Sequence, residues 1–307
     1  MKRVLTAMVL VPLVLLVVFK APLWLFALVV ALIAILALHE YLDLLKAYGT
    51  QPLRFEANIT ALVVVFGIWC ASDDRLLERF AFLQPGWLFG SWQILLIFSL
   101  IFGIPLIFRD DLRGSLLATA GSAFGVLYIV VPLALLIPLR GHWGLCVLVV
   151  FTLLSVWAGD TAAYYVGRAI GRHPLAPLVS PKKTWEGAIA SVLASVLVAW
   201  VVFHFYTQIR SLFSTIPNIS DIALPDSVIQ RPMPLIRVIM IGFLTNVEAQ
   251  LGDLFESAIK RGAQVKDSGS LLPGHGGILD RIDALLFAIP TVWYYAMLTH
   301  FSQPWPF

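Results

Sequence analysis

Long apolar runs separated by short charged loops dominate the pattern of hydrophobic and polar positions along the chain. Runs of about 17 to 25 residues, the length that a helix needs to cross a bilayer, recur about nine times. Because the hydrocarbon core offers no hydrogen-bonding solvent, segments that cross it must be helical. The pattern therefore predicts an all-α, polytopic integral membrane protein with about nine transmembrane helices. The predicted spans are residues 4–19, 21–38, 59–71, 92–108, 116–139, 144–158, 188–206, 235–250 and 284–300.

The composition supports this fold class. At 307 residues, 60% hydrophobic and only 13% charged, the chain does not resemble a soluble globular protein. Its basic residues lie in short loops beside carboxylates and form no basic face, so no nucleic-acid partner is expected.

The distribution of the 21 Lys and Arg residues predicts the orientation. Most of them fall on the side that holds the N-terminus, and the positive-inside rule places that side in the cytoplasm. With nine spans, loops 159–187 and 251–283 also face the cytoplasm. We therefore divide the chain into N-terminal transmembrane helices, residues 1–143, and a catalytic transmembrane region, residues 144–307.

Residues 253–283 form a strongly charged stretch with apolar runs on both sides. If the helix that begins near Leu235 continues through Arg261, its polar residues share one face, since each residue advances about 100°. Such a stripe indicates one wall of a polar cavity, although an interfacial helix with its wet face outward would show the same spacing. The stripe consists of Asn246, Gln250, Asp253, Ser257 and Lys260.

The segment that follows predicts a tight turn and then a new helix. Pro273 and the glycines on either side of His275 interrupt regular helix, and successive N–H groups in such turns can bind anions. A helix restarting near Leu279 would place Asp280 and Asp283 on one side. These carboxylates suit a hard divalent cation that also holds phosphate oxygens, but mutual salt bridges with nearby Lys and Arg remain the alternative.

Loop 159–187 is the second candidate stretch. Arg168 and Arg172 are four residues apart, so both could project from one helix face before prolines force an extended loop. The segment Ser180–Thr184 then presents two ammonium groups and two hydroxyls. A topogenic anchor would show the same charges. The pair His39–Glu40, at the end of the second predicted span, is interpreted as interfacial rather than catalytic.

Both stretches match a known signature with fixed gaps, and the second half of the chain resembles the phosphatidate cytidylyltransferases, integral membrane enzymes also called CDP-diacylglycerol synthases. The resemblance implies magnesium-dependent transfer of a cytidylyl group from CTP to phosphatidic acid. It also implies that Asp253 and Asp280 are the principal metal ligands, with Asp283 essential nearby. The matching residues are Asp160-x-x-Ala163-Tyr164, Gly167-Arg168, Gly171-Arg172, Ser180-Pro181-Lys182-Lys183-Thr184-x-Glu186-Gly187, Gly252-Asp253-x-x-Glu256-Ser257-x-Ile259-Lys260-Arg261, Lys266-Asp267-x-Gly269 and Leu272-Pro273-x-His275-Gly276-Gly277-Ile278-x-Asp280-Arg281-Ile282-Asp283.

The candidate site residues follow from these motifs. The catalytic candidates are Asp253, Lys260, Arg261, Lys266, Asp267, His275, Asp280, Arg281 and Asp283. The substrate-binding candidates are Asp160, Arg168, Arg172, Ser180, Lys182, Lys183, Thr184, Glu186, Ser257, Gly276 and Gly277. The expected metal ligands are Asp253, Asp280 and Asp283.

The expected function is synthesis of CDP-diacylglycerol for phospholipid biosynthesis. The expected cofactor is Mg²⁺, with room for a second, monovalent cation, and the expected partners are CTP, phosphatidic acid and membrane lipids. The resemblance also suggests a homodimer in a bacterial inner membrane. Two alternatives remain, a cytidylyltransferase for another lipid phosphate and an ion-coupled transporter, although a transporter would place its charges near mid-span.

Overall fold

The computed structural model describes residues 12–73, 76, 91–109, 111–141, 146–205, 208, 234–271 and 276–300. Helices account for most of these residues, as the apolar pattern predicts. The helices are α1 Leu23–Ala47, α2 Arg54–Ala71, α3 Ser91–Ile107, α4 Leu112–Gly125, α5 Val131–Ala134, α6 Leu136–Gly141, α7 Cys146–Ile170, α8 Trp185–His204, α9 Leu235–Gly262 and α10 Leu279–His300. A π-helical turn, Val126–Val130, joins α4 to α5, and two short strands, β1 Pro174–Ala176 and β2 Ser180–Thr184, lie between α7 and α8.

Six segments of the described chain are long and apolar enough to cross a membrane. This confirms a polytopic, helical membrane protein but not the predicted number of about nine spans. The other predicted spans correspond to residues 4–19, of which residues 4–11 lie outside the described part of the chain, and to α3 and α10. The six segments are Leu23–Ala47, Arg54–Ala71, Leu112–Gly141, Val147–Ile170, Trp185–His204 and Leu235–Gly262.

The helices group into two compact units. The first consists of Met1–Pro12, Ala21–His142 and Ile259–Arg281. The second consists of Leu13–Lys20, Trp143–Ala258 and Ile282–Phe307.

Close packing in the first unit holds the second half of α1 in the core. A Cβ atom on Gly125 would lie 2.5 Å from the ring of Tyr41, so α4 can approach α1 because this position is glycine. The Tyr41 hydroxyl also donates to the backbone oxygen of Gly121 at 3.2 Å. Leu38 and Leu42 are fully buried beside this contact. Glu40, which projects from another face of the same helix, is also buried.

A ladder of polar side chains joins α8 to α9 in the second unit. Asn246 donates to Ser191 Oγ at 3.0 Å, and Gln250 donates to the backbone oxygen of Ala188 at 3.2 Å. Gln250 also donates to Asn246 Oδ1 at 2.6 Å. The first half of the predicted polar stripe on α9 therefore forms hydrogen bonds with α8. Amide side chains inside a membrane need such partners, because lipid offers none.

The predicted loop 159–187 is largely regular structure, because α7 extends to Ile170 and α8 begins at Trp185. The remainder forms an antiparallel hairpin in which Pro174 pairs with Thr184 and Ala176 with Ser180. Loop 251–283 is likewise shorter than predicted, since α9 continues to Gly262.

The prediction that Arg168 and Arg172 share a helix face is wrong. α7 ends at Ile170, so Arg172 lies beyond it. Gly171 donates its N–H to the oxygen of Gly167, and a Cβ atom there would lie 2.2 Å from that oxygen. The chain therefore turns tightly at Gly171 and leaves the helix. By contrast, the expected extension of α9 through Arg261 and the helix start at Leu279 are confirmed.

Candidate active site

The second unit contains a cavity of about 520 Å³ bounded by α7, the β1–β2 hairpin, α8 and α9. We call it the hairpin cavity. It gathers candidates from both signature stretches, 70 to 90 residues apart in sequence. The predicted residues that line it are Asp160, Arg168, Lys182, Lys183, Thr184 and Asp253.

Two oppositely charged side chains meet in the hairpin cavity. The Lys183 ammonium forms an ion pair with the Asp253 carboxylate, and both side chains are partly exposed, at 28% and 33%. Ser257, one turn further along α9, places its hydroxyl 3.5 Å from Asp253. Asp160 lines the same cavity from α7 and supplies a second carboxylate.

Small residues and a helix cap position the hairpin. Thr184 accepts a hydrogen bond from the N–H of Gly187 at 3.2 Å and so caps α8. A Cβ atom on Gly187 would lie 2.8 Å from the backbone oxygen of Ala163, which shows how closely α8 approaches α7. Glu186 lies at 2.7 Å from His173 Nδ1 and anchors the start of the hairpin.

In the first unit, Asp280 binds residues on both sides of the segment for which the sequence predicts a tight turn. Its carboxylate contacts the Lys260 ammonium at 2.5 Å and accepts from the N–H of Gly277 at 2.7 Å and of Ser268 at 3.0 Å. The side chains of Lys260 and Asp280 are 11% and 9% exposed. Burial alone would raise the pKa of Asp280, but the ammonium and the backbone N–H groups outweigh it and hold this pKa below its usual range.

Steric constraints explain why Gly276 and Gly277 are glycines. Gly276 has a φ of 77°, a conformation that glycine tolerates, and a Cβ atom there would lie 2.6 Å from Asp280. Gly277 leaves room for Ser268 and for a carboxylate of α1. The geometry therefore accounts for both glycines within the turn, whatever they contact in a complex.

The cytidylyltransferase family model matches residues 1–299. The chain belongs to the cytidylyltransferase family. A phosphatidate cytidylyltransferase of Haemophilus influenzae is 30% identical over 310 aligned positions, covering 96% of this chain and 97% of that protein. One from Synechocystis is 30% identical, covering 90% and 89%. A chloroplastic phosphatidate cytidylyltransferase 4 of Arabidopsis thaliana is 32% identical over 86% of this chain and 65% of its own length.

The resemblance inferred from the motifs is therefore confirmed. The family match also extends over the first half of the chain, where the motifs gave no indication of it.

Several predicted residues of this cytidylyltransferase family member do not line the hairpin cavity. Arg172 is exposed, and Ser180 begins β2 without lining the cavity. Asp283, at the start of α10, accepts from the N–H of Ala284 at 2.8 Å. His275 lies outside the described residues. The exposed candidates around the turn are Arg261, Lys266, Asp267 and Arg281.

The donor set of the hairpin cavity fits a magnesium ion. Mg²⁺ in proteins is commonly held by one or two carboxylates together with substrate phosphates and water. Asp160 and Asp253 supply two such carboxylates. Among the described residues, no group of three or more His, Cys, Asp and Glu side chains could hold a metal by itself. The predicted ligand set Asp253, Asp280 and Asp283 stays a prediction.

Sequence reasoning missed Glu40 as a hydrogen-bond partner of Ser268 and of the residues that start α10. This residue is buried in α1, and its carboxylate accepts from Ser268 Oγ at 2.8 Å. A signal was present, because an ionisable residue inside an apolar span usually has a specific partner. The sequence could not identify that partner, which is 228 residues away.

Proposed function

We propose that this protein is a phosphatidate cytidylyltransferase, which makes CDP-diacylglycerol and pyrophosphate from CTP and phosphatidic acid. One observation carries the proposal. Six of the predicted site residues, in a chain that matches the family model over residues 1–299, line one cavity of the second unit, and they give it two carboxylates and three cationic side chains. Relatives from bacteria and plants that match most of the chain carry this name.

The reaction requires two anionic substrates to approach each other. A phosphate oxygen of phosphatidic acid attacks the α-phosphorus of CTP, the bond between that phosphorus and the bridging oxygen breaks, and pyrophosphate leaves. Lys182, Lys183 and Arg168 line the cavity and would neutralise phosphate charge that otherwise opposes the encounter. The nucleophile is already an anion, so the reaction needs no strong general base.

Asp253 and Asp160 are the residues of the hairpin cavity that would hold magnesium. That Asp280 and Asp283 also act as metal ligands is proposed on the family resemblance alone. The bound ion would stabilise charge on the phosphoryl oxygens and on the leaving group. With Asp253 engaged by a cation, its partner Lys183 would be available to bind a phosphate oxygen. A second, monovalent cation remains part of the proposal.

The proposal includes the arrangement in the membrane. We propose about nine spans, which add the sequence-predicted spans 4–19, 92–108 and 284–300 to the six segments recognised by length and apolarity. The excess of Lys and Arg on one side supports an N-terminus and an active site facing the cytoplasm of a bacterial inner membrane. A homodimer is also proposed, on the resemblance alone.

The decisive experiment follows the label of CTP. Purified protein in detergent with phosphatidic acid and Mg²⁺ should transfer phosphorus from α-labelled CTP into the lipid phase. With γ-labelled CTP the label should appear in pyrophosphate instead. Excess EDTA should abolish both transfers. Failure of the α-label to enter lipid would refute the proposed reaction.

Competition identifies the acceptor. An excess of unlabelled phosphatidic acid should suppress labelling of other lipid phosphates, whereas those lipids should compete poorly. The reverse order of preference would support the alternative, a cytidylyltransferase for another lipid phosphate.

A further inference from the structure

Glu40 is a carboxylate that the proposed reaction does not use. It lies in the apolar helix α1, is 9% exposed, and accepts hydrogen bonds from Ser268 Oγ at 2.8 Å and from the N–H groups of Ile278 and Leu279, each at 2.9 Å. A buried carboxylate is tolerated when such donors compensate its desolvation. All its hydrogen-bond donors named here belong to the signature turn, a name that we give to the described residues 268–271 and 276–280.

Two glycines of the signature make room for this side chain. A Cβ atom on Gly269 would lie 2.7 Å from Glu40 Oε1, and one on Gly277 would lie 2.2 Å from Glu40 Oε2. Real Cβ atoms do not approach oxygens so closely. The spacing of glycines in the motif is therefore explained by a carboxylate located elsewhere in the chain.

Glu40 and Asp280 divide the same set of donors between them. Of three successive N–H groups before and at the start of α10, that of Gly277 binds Asp280, and those of the next two residues bind Glu40. Ser268 donates its N–H to Asp280 and its hydroxyl to Glu40. The first N–H groups of a helix lack intrahelical partners, and the helix dipole favours anions there. The two carboxylates thus order one backbone segment jointly.

We propose that Glu40 is a positioning residue for the cytidylyl-transfer reaction. By holding the signature turn, it keeps the Asp280 carboxylate and its Lys260 partner in their observed geometry. Only the catalytic consequence rests on the proposed function, because the contacts of Glu40 with the turn do not depend on it.

Two acceptor oxygens are required at position 40, as well as the right shape. A glutamine at position 40 would have the same size, but its amide NH₂ group would face a backbone N–H donor in either rotation of the amide. In one rotation of the amide, its oxygen accepts from the N–H of Leu279 and its NH₂ group faces the N–H of Ile278, which then has no acceptor. In the other rotation, the N–H of Leu279 has no acceptor. One buried backbone N–H therefore loses its partner in Glu40→Gln.

The test compares Glu40→Gln with Asp43→Asn. Asp43 lies on the same helix, but its side chain is 63% exposed and pairs with Arg54 at 2.5 Å. Glu40→Gln should lower kcat about tenfold or more, because a small displacement of reacting groups is costly, while the KM for CTP changes by less than about twofold. Hydrogen exchange at Ile278 and Leu279 should accelerate. Asp43→Asn should match the wild type in every measurement.

Two further variants keep the test decisive if Glu40→Gln does not fold. Ser268→Ala removes one of the three bonds and should lower kcat several-fold, in the range expected for a lost hydrogen bond. Gly269→Ala should be harmful in the wild type but less so beside Glu40→Ala, since the steric conflict with Glu40 is then gone. Strictly additive losses in that cycle would contradict the proposed contact.

The outcomes separate this inference from the proposed function. If Glu40→Gln shows wild-type kcat and wild-type hydrogen exchange, the inference is overturned and the proposed function stands. If the wild type transfers no label from CTP but exchange accelerates in Glu40→Gln, the proposed function fails and the hold of Glu40 on the turn is supported.

Discussion

Two ammonium–carboxylate pairs differ in burial, and this difference predicts different mutant behaviour. The pair Lys183–Asp253 is about one-third exposed, whereas Lys260–Asp280 is about nine-tenths buried. Exposed pairs contribute about 0–1 kcal/mol to stability. Removing one partner of a buried pair costs about 3–5 kcal/mol, because the remaining charge is left uncompensated. The two aspartates are therefore distinguishable by stability as well as by activity.

We expect Asp253→Asn to lose nearly all turnover while its melting temperature in detergent stays close to that of the wild type. Asp280→Asn should lose turnover and also melt at a clearly lower temperature. Activity assays and thermal unfolding of both variants test this.

If the two carboxylates also share one metal, the double variant should be scarcely less active than either single one, since groups acting as a unit are non-additive. An active Asp280→Asn enzyme would contradict the proposed site.

The depressed pKa of Asp280 predicts how stability depends on pH. Because the folded-state pKa lies below the ordinary value of about 3.9, the stabilisation is fully present above that value and is lost as pH falls through the folded value. The difference in melting temperature between wild type and Asp280→Asn should therefore be constant from neutral pH down to about pH 5. It should shrink below about pH 4. A difference that already shrinks near pH 6 would show that the carboxylate is not stabilised in this way.

At the scale of elements, the hairpin between α7 and α8 predicts unequal roles for two adjacent lysines. Both line the hairpin cavity, but only Lys183, of these two, pairs with Asp253 in the structure. Lys182 is exposed, where substitutions typically change stability by about 0.5 kcal/mol or less.

Replacing both lysines with alanine should therefore raise the KM for CTP strongly without unfolding the protein. Lys183→Ala should account for more of the loss than Lys182→Ala. Steady-state kinetics with CTP as the varied substrate, alongside thermal unfolding, measure both effects. An unchanged KM in the double variant would favour the alternative interpretation, in which the segment is only a topogenic anchor.

At the scale of the whole molecule, the asymmetry of Lys and Arg predicts which loops face the cytoplasm. In a protein whose Cys70 and Cys146 are replaced by alanine, Ser220→Cys should react with a membrane-impermeant thiol reagent on intact cells. Ser270→Cys, on the exposed part of the signature turn, should react only after the membrane is opened. Equal labelling of both from outside would overturn the proposed orientation and, with it, access to cytosolic CTP.

The sequence by itself determined the membrane-helical fold class, the family, and most of the residues that line the hairpin cavity. Long apolar runs can satisfy their backbone in a bilayer only as helices, and a long motif with fixed gaps identifies a family without knowledge of the fold. Tertiary structure alone decided that α7 ends at Ile170 before it reaches Arg172, that the following prolines form a hairpin, and that Glu40 binds the signature turn. Those outcomes depend on contacts between distant segments, such as the 228-residue separation of Glu40 and Ser268, and no local pattern of apolar and polar residues specifies which segments meet.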